Sequence, residues 1–321
     1  MKIPRHICRG LLLLSAGVAA LPAQPVAEHR AHVLAMSGDQ IATMVLADTG
    51  TAMVLIPKLH VPNGATITVG PYTRLHLQTF EGAITTAEPG TTFKLESADV
   101  VITPDKKRIE RTTLTLRSGN LVANLDPKKR EKSRYGVRTP KGTAGARGTN
   151  YAVSVEAAAA GADSLTVVTV LDGTVAFGDR GRGPTIALPP GTGSNGDSNA
   201  VKLAALYEDS RTAALADRGM QATAGSVAVL MDSERSGVNT GTLNRVFTSA
   251  AVGTGDVAVI DRMASAAVAA NPSASDRVAD ARNAALAAIP PPPPAPVPPP
   301  VVEPEEPPPP ARLRHRRPGR N

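Results

Sequence analysis

Four arrangements in this chain have residue types and spacings that suggest chemistry. His29-x-x-His32 is a metal-ligand spacing, but a specific site takes three or four protein ligands, and no cysteine or carboxylate cluster completes one here. Gly191-Thr-Gly-Ser-Asn-Gly196 fits G-x-G-x-x-G, the loop that cradles a pyrophosphate when it joins a buried strand to a helix. Pro189-Pro190 break the strand before it and Asp197-Ser198 delay the helix after it, so a flexible link between domains is the expected role. Gly142, Gly145 and Gly148 repeat the glycine spacing without the Gly-Lys-Ser/Thr end that holds a nucleotide and magnesium. Lys128-Lys-Arg-Glu-Lys-Ser-Arg134, with Arg138, Lys141 and Arg147 downstream, suits an anionic glycan, a lipid headgroup or nucleic acid. It follows Asp126-Pro127 between strands, so a solvated hairpin loop is the default. Tyr135 alone offers little base stacking, which argues against a specific nucleic-acid site.

The remaining candidates are weaker. His76 shares a strand face with Arg74 and Gln78 and is expected to be exposed. Arg147 sits beside Gly148, where hydrogen bonds to backbone carbonyls would fix a turn. No serine or threonine occupies a nucleophile motif, and no pair of carboxylates has an acid–base context. The chain is therefore expected to be no enzyme, with no catalytic, metal or cofactor-binding residues.

The elements that would position these residues read as short strands. From about Met36 to Leu188, apolar residues alternate between turn signals such as Pro62-Asn63-Gly64, Glu81-Gly82, Pro89-Gly90 and Asp172-Gly173. Leu114 and Leu116 alternate before Ser118-Gly119, and Leu121, Ala123 and Leu125 alternate after it. Tyr151, Val153 and Val155 share one parity, while Asn150, Ala152, Ser154 and Glu156 share the other, a half-buried pattern. Asp172-Gly173 is a hairpin signal between Leu171 and Val175. The pattern predicts an all-β roll or sandwich.

Near Asn199 the period changes to helical, and Ala-rich segments run to Ile289, interrupted by Gly219, Gly225, Gly237, Gly241, Gly253 and Asn271-Pro272. Large apolar residues are few there, which predicts short helices, loosely packed and marginal alone. Pro290 to Pro310 is a polyproline II spacer of roughly 65 Å at about 3.1 Å per residue.

Both termini are set apart by charge. Lys2, Arg5 and Arg9 precede an apolar run from Gly10 to Leu21, and small residues follow, the pattern of a secretory signal peptide cleaved after Ala23 or Ala20. Cys8 lies inside that leader, so the mature chain is expected to lack disulfides and thiolates. Of the formal charge of +7, three charges lie in the leader and five arginines lie beyond Ala311, leaving a body that is nearly neutral. Aromatic residues make up 2% of the chain and tryptophan is absent, so an aliphatic sheet interior is expected and a broad aromatic ligand pocket is not.

The β region resembles the FecR-type domain of bacterial envelope proteins. Its first half is similar at Gly64-Ala-Thr-Ile67, Gly70-Pro71-Tyr-Thr73, Phe80-Glu-Gly82 and Pro89-Gly-Thr91. Its second half is similar at Leu116-x-x-Gly119, Tyr135-x-Val137-x-Thr139-Pro140-x-Gly142 and Arg147-Gly148-Thr149-x-Tyr151-x-Val153, then Val170-Leu171-x-Gly173-x-Val175 and Leu188-x-x-Gly191. The resemblance runs from near Gly38 to near Leu203. It implies a domain that senses or binds, as in members that regulate iron-citrate uptake through an anti-sigma partner. Those members carry a transmembrane helix and a sigma-binding region ahead of the domain, where this chain has its leader. Direct sigma-factor control is therefore not expected. Tyr135, Thr139, Pro140, Gly142, Arg147, Gly148, Thr149 and Gly173 are family-motif residues to which a structural role is assigned.

The expected organisation is a signal peptide over 1–23, a FecR-like β domain over 24–200 and an Ala-rich helical region over 201–289, then a Pro-rich linker over 290–311 and a basic tail over 312–321. The expected function is a periplasmic or secreted binding or sensing module that recognises an envelope protein or glycan. The alternative is a structural envelope spacer, anchored by the Pro-rich segment and a basic tail that contacts anionic polymers or lipids.

Overall fold

The computed structural model describes residues 27–28, 31–103, 105–158, 163–178, 185–196, 199–233 and 236–291. Ala23, His29, the proline segment beyond Pro291 and the basic tail lie outside them. The compact unit runs to Ile289, and residues 290–321 form a second unit.

The fold is mainly β, with a helical region at its C-terminal end. The strands are β1 (Ala27–Glu28), β2 (Ala31–Gly38), β3 (Ala42–Val45), β4 (Ala52–Val54), β5 (His60–Val61) and β6 (Thr66–Val69). There follow β7 (Thr73–Phe80), β8 (Ala83–Ala87), β9 (Thr92–Ile102), β10 (Arg108–Leu125), β11 (Ser133–Arg138) and β12 (Thr143–Ala146). The last are β13 (Asn150–Glu156), β14 (Leu165–Asp172), β15 (Val175–Gly178), β16 (Ile186–Leu188), β17 (Thr192–Ser194) and β18 (Val201–Lys202). Four helices close the chain: α1 (Ser210–Leu230), α2 (Thr240–Thr254), α3 (Val257–Ala270) and α4 (Ser275–Ala287). No described helix is long and apolar enough to cross a membrane.

The pairings define two sheets. Sheet A runs β4-β3-β6-β9-β10-β11-β12-β15-β16, with β1 beside the end of β9. Sheet B runs β5-β2-β7-β8-β10-β13-β14-β17-β18. The 18-residue strand β10 belongs to both. Its first part pairs in sheet A and its last part in sheet B, with the change at Gly119. The sheets face each other across one aliphatic core: Val33, Leu75, Leu77, Leu121, Tyr151 and Val153 from sheet B meet Ile67, Phe93, Leu95, Leu114, Val137 and Phe177 from sheet A. Alternation along each strand delivers one residue in two to this core.

Three sequence expectations are corrected by this topology. The basic run does not close a hairpin: β11 pairs parallel to β10, Arg111 opposite Arg134, so residues 126–132 carry the chain from sheet B back to sheet A. Asp172-Gly173 is likewise a corner between sheets and not a hairpin, because β14 pairs with β13 and β17 while β15 pairs with β12 and β16. The glycines from Gly191 to Gly196 are no flexible link. They carry β17, whose Gly193 is bonded between β14 and β18, and Gly191 just before it donates its N–H to Val170 O at 2.9 Å.

α1 and α2 form a third layer on the outer face of sheet B, and α3 and α4 pack against them. Ile84, Val167 and Leu171 from the sheet share a second core with Leu215, Met220, Val227, Phe247, Ile260 and Met263. The expectation of short, loosely packed helices is therefore wrong. Small side chains bury area here through close approach of backbones and not through bulk. A Cβ on Gly219 would lie 2.9 Å from Thr169 Oγ1 and 3.2 Å from Ala152 Cβ, so α1 lies almost directly on β13 and β14. Gly219 and Gly225 sit inside α1, and Gly253 inside α2, where they permit contact in place of breaking helices.

The same layer overturns the exposure expected of His76, which is 1% exposed. Its parity was legible, but the face it shares with Arg74 and Gln78 is covered by α1. His76 Nδ1 lies 2.9 Å from Thr86 Oγ1, which lies 2.6 Å from Ser226 Oγ of α1. Asn124 Nδ2 donates to the same Ser226 hydroxyl at 2.7 Å. Buried polar groups are costly unless paired, so this chain of contacts fixes α1 on sheet B. Ser226→Ala removes the hydroxyl without adding bulk, leaving Asn124 Nδ2 without its acceptor and Thr86 with His76 alone. It is expected to cost about 2 kcal/mol in urea denaturation, and an unchanged midpoint would remove the network from the account of stability.

Candidate functional site

Concave surfaces that combine polar and charged side chains lie on both sheets. The first is a cleft of about 540 Å³ where sheet B meets α1, lined in part by Arg74, Glu88, Asn120, Ser154, Arg218 and Gln221. Arg74 binds Glu88 through both guanidinium arms, Nε to Oε1 at 2.7 Å and Nη2 to Oε2 at 2.9 Å. Ser154 Oγ donates to Leu215 O, and Gln221 Nε2 to Asp217 Oδ2. Much of this cleft's polarity is therefore spent within the sheet and within the helix, and Ser154 joins the two.

The second surface is the outer face of sheet A. The parallel pairing of β10 with β11 sets Arg111 opposite Arg134. In the antiparallel pair β11–β12, Tyr135 stands opposite Ala146, so Arg147 falls beside Arg134 on the next strand. Alternation sends Tyr135 and Ala146 into the core and leaves the three arginines on the outer face. One step along, Gly136 faces Gly145, and Gly145 faces Ala176 of β15. The result is a shallow groove of about 570 Å³, rimmed by Arg111, Arg134 and Arg147 and floored by glycine and alanine. Burial and the neighbouring charges of Arg147 and Arg111 hold the Arg134 pKa below the ordinary guanidinium value.

Beyond the glycines a second hollow of about 470 Å³ is lined by Glu96, Thr115, Arg138 and Thr143. Partial burial pushes the Glu96 carboxyl up, but hydrogen bonds from Lys94 and Thr115 and the charges of Lys94 and Arg138 bring it below its ordinary value. This end of the groove is thus mixed in charge, and the Arg134 end is cationic.

The motif residues divide between this face and its support. Tyr135 is buried, its hydroxyl 2.6 Å from Thr85 Oγ1, and burial pushes its pKa far up. Thr139 Oγ1 donates to Gly142 O at 3.0 Å and accepts from Gly142 N–H at 3.1 Å, closing the turn that carries exposed Pro140 between β11 and β12. Gly148, Thr149 and Gly173 meet at the corner where the chain changes sheet: a Cβ on Gly173 would lie 2.6 Å from Thr149 Cγ2, and one on Gly148 would lie 2.6 Å from Pro127 Cα. The backbone hydrogen bonds expected of Arg147 are not made among the described residues; its side chain is exposed on the groove rim. Sequence reasoning missed Arg111 altogether, because its place beside Arg134 depends on a parallel pairing with no local signal.

The buried polar network under α1 is closed to solvent. His76 lies beneath α1 and Ser226 on the buried side of α1, and burial, followed by the charge of Arg74, lowers the His76 pKa to about 4. His32 and His60 meet edge-on with ring centroids 6.2 Å apart. No group of three His, Cys, Asp or Glu able to hold a metal occurs among the described residues.

Residues 51–176 match the FecR protein family model. No curated protein matches the chain. Two crystal structures of a provisionally assigned anti-sigma factor from Parabacteroides distasonis ATCC 8503 are similar to it, at 18% and 19% identity and a TM-score of 0.31 each. Each likeness covers 42% of this chain, and the chain spans 57% of the other protein's length.

Proposed function

We propose that the FecR domain at residues 51–176 makes this chain a non-catalytic signal-sensing module that recognises an envelope protein or glycan. Export by the N-terminal leader, to the periplasm or cell envelope, is part of the same proposal. The observation that carries it is the asymmetry of the two sheets: sheet B is covered by α1 and α2, on which α3 and α4 pack, while sheet A presents an open face whose groove arginines hold no carboxylate beside a glycine floor. Recognition needs an accessible surface with a few oriented polar groups, and this face supplies one. Acid–base or nucleophilic chemistry needs converging groups that reach a substrate, whereas His76 and Ser226 are enclosed.

Cross-linking of the full chain within isolated cell envelopes tests the proposal. Wild type is expected to give a saturable adduct, and Arg134→Glu with Arg147→Glu to reduce its yield about tenfold. An adduct whose yield is the same for both proteins would remove the outer face of sheet A from recognition.

A further inference from the structure

Arginines of the described residues fall into two groups, those that hold a carboxylate and those, Arg117, Arg130, Arg138 and Arg218 among them, that form no ion pair. Arg74, Arg211, Arg245, Arg262, Arg277 and Arg282 each hold a carboxylate within 3.1 Å. Arg111, Arg134 and Arg147 form no ion pair among the described residues, although they occupy adjacent positions on three adjoining strands. Neighbouring strands lie about 4.8 Å apart, so the row spans roughly 10 Å. Asp99 stands across β9 from Arg111, but its carboxylate accepts from Asn63 Nδ2 at 2.8 Å. Glu110, the nearest acid on β10, is turned to Arg108.

The floor is open for no packing reason. A Cβ on Gly145 would have its nearest neighbour at 3.7 Å and one on Gly136 at 3.8 Å, ordinary contact distances. Neither residue has positive φ. Side chains would fit here without strain, and their absence leaves room above the sheet beside three positive charges, of which Arg134 is held by Nη1 donating to Ser133 O at 3.1 Å.

We propose that Arg111, Arg134 and Arg147, with the Gly136–Gly145 floor, bind a ligand presenting clustered phosphate groups. The assignment rests on the reading of sheet A as the recognition face. Guanidiniums pair with phosphate oxygens through two parallel N–H donors, and a phosphomonoester brings nearly two charges and three acceptor oxygens into a small volume. A lone carboxylate would leave most of this positive charge unmatched. With no exposed aromatic ring in the groove, nucleobases gain no stacking.

Titration of the purified full chain with inorganic pyrophosphate, and flotation with phosphatidylcholine vesicles with and without phosphatidic acid, tests the site and separates its two sources. Saturable pyrophosphate binding identifies a free phosphate ligand, and binding to phosphatidic acid vesicles alone identifies a membrane headgroup. In either case Arg134→Gln with Arg147→Gln should weaken binding at least about tenfold, as expected for loss of charge-assisted hydrogen bonds. Gly145→Val should weaken it at least about fivefold at an unchanged melting temperature, by filling the floor. Should Gly145→Val disturb folding, the arginine pair decides. The proposal is overturned if neither probe binds, if Arg108→Gln weakens binding as much as the groove variants, or if only single-stranded DNA binds. Because these probes need no envelope partner, their failure beside an intact Arg134-dependent adduct would remove the phosphate assignment and leave the recognition reading standing.

Discussion

Acidification from pH 7 to pH 4 is expected to cost the folded unit about 3 kcal/mol through His76 alone, the free energy equivalent of lowering its pKa from 6.5 to about 4. The imidazole is buried beneath α1, and its Nε2 finds no hydrogen-bond partner among the described residues. Protonation would place a second N–H and a full charge in that enclosure, close to Arg74. The folded pKa lies below the unfolded value, so on acidification the unfolded chain takes up the proton first. This contribution is complete above about pH 6.5 and is lost as the pH falls towards 4. Denaturation at pH 7, 5.5 and 4 for wild type and His76→Gln measures it. The variant loses the titrating group, so its stability should fall less, by roughly the figure above. Parallel profiles for the two proteins would mean that His76 does not titrate in this window. The carboxylates that titrate near pH 4 are common to both proteins and cancel in the comparison.

His76 also marks the limit of what the chain discloses about itself. Strand parity was legible: Tyr151, Val153 and Val155 point into the sandwich as their alternation requires. The opposite parity, Asn150, Ala152 and Ser154, looked like a solvent face because it is small and polar. It is instead the face on which α1 lies, and small residues are what bring a helix so close. Composition does not distinguish a small polar face in water from one beneath a glycine-bearing helix. The switch of sheets within β10 did leave a trace. The inward residues are Leu114 and Leu116 before Gly119 but Leu121, Ala123 and Leu125 after it, a change from even to odd numbers that marks an irregularity in one strand as well as it marks a turn between two. The arginine groove was half legible. Arg134 and Arg147 belonged to a visible basic cluster, but the neighbour that completes the row, Arg111, comes from a parallel pairing set by tertiary structure.

Replacing Gly119 by alanine is expected to destabilise the folded unit by about 4 kcal/mol. Two costs meet at this position. Its φ is +95°, a conformation that an L side chain adopts only under strain, roughly 1–3 kcal/mol. The added methyl would also lie 2.5 Å from both Cα and Oγ1 of Thr91, and overpacking costs a further 1–3 kcal/mol or so. Thr91 has little room to yield, because its hydroxyl donates to Asn120 O at 3.1 Å and accepts from Asn120 N–H at 3.0 Å. Gly90 separates the two costs. Its φ is +73°, but a methyl added there would meet nothing within 4 Å, so Gly90→Ala should show the backbone term alone, about 1 kcal/mol. Urea denaturation of both variants would decide the matter. Equal losses would mean that Thr91 moves aside and that the bend between the sheets tolerates a side chain. A loss at Gly119 several times that at Gly90 would identify the Gly119–Thr91 contact as what holds the two halves of β10 in their separate sheets.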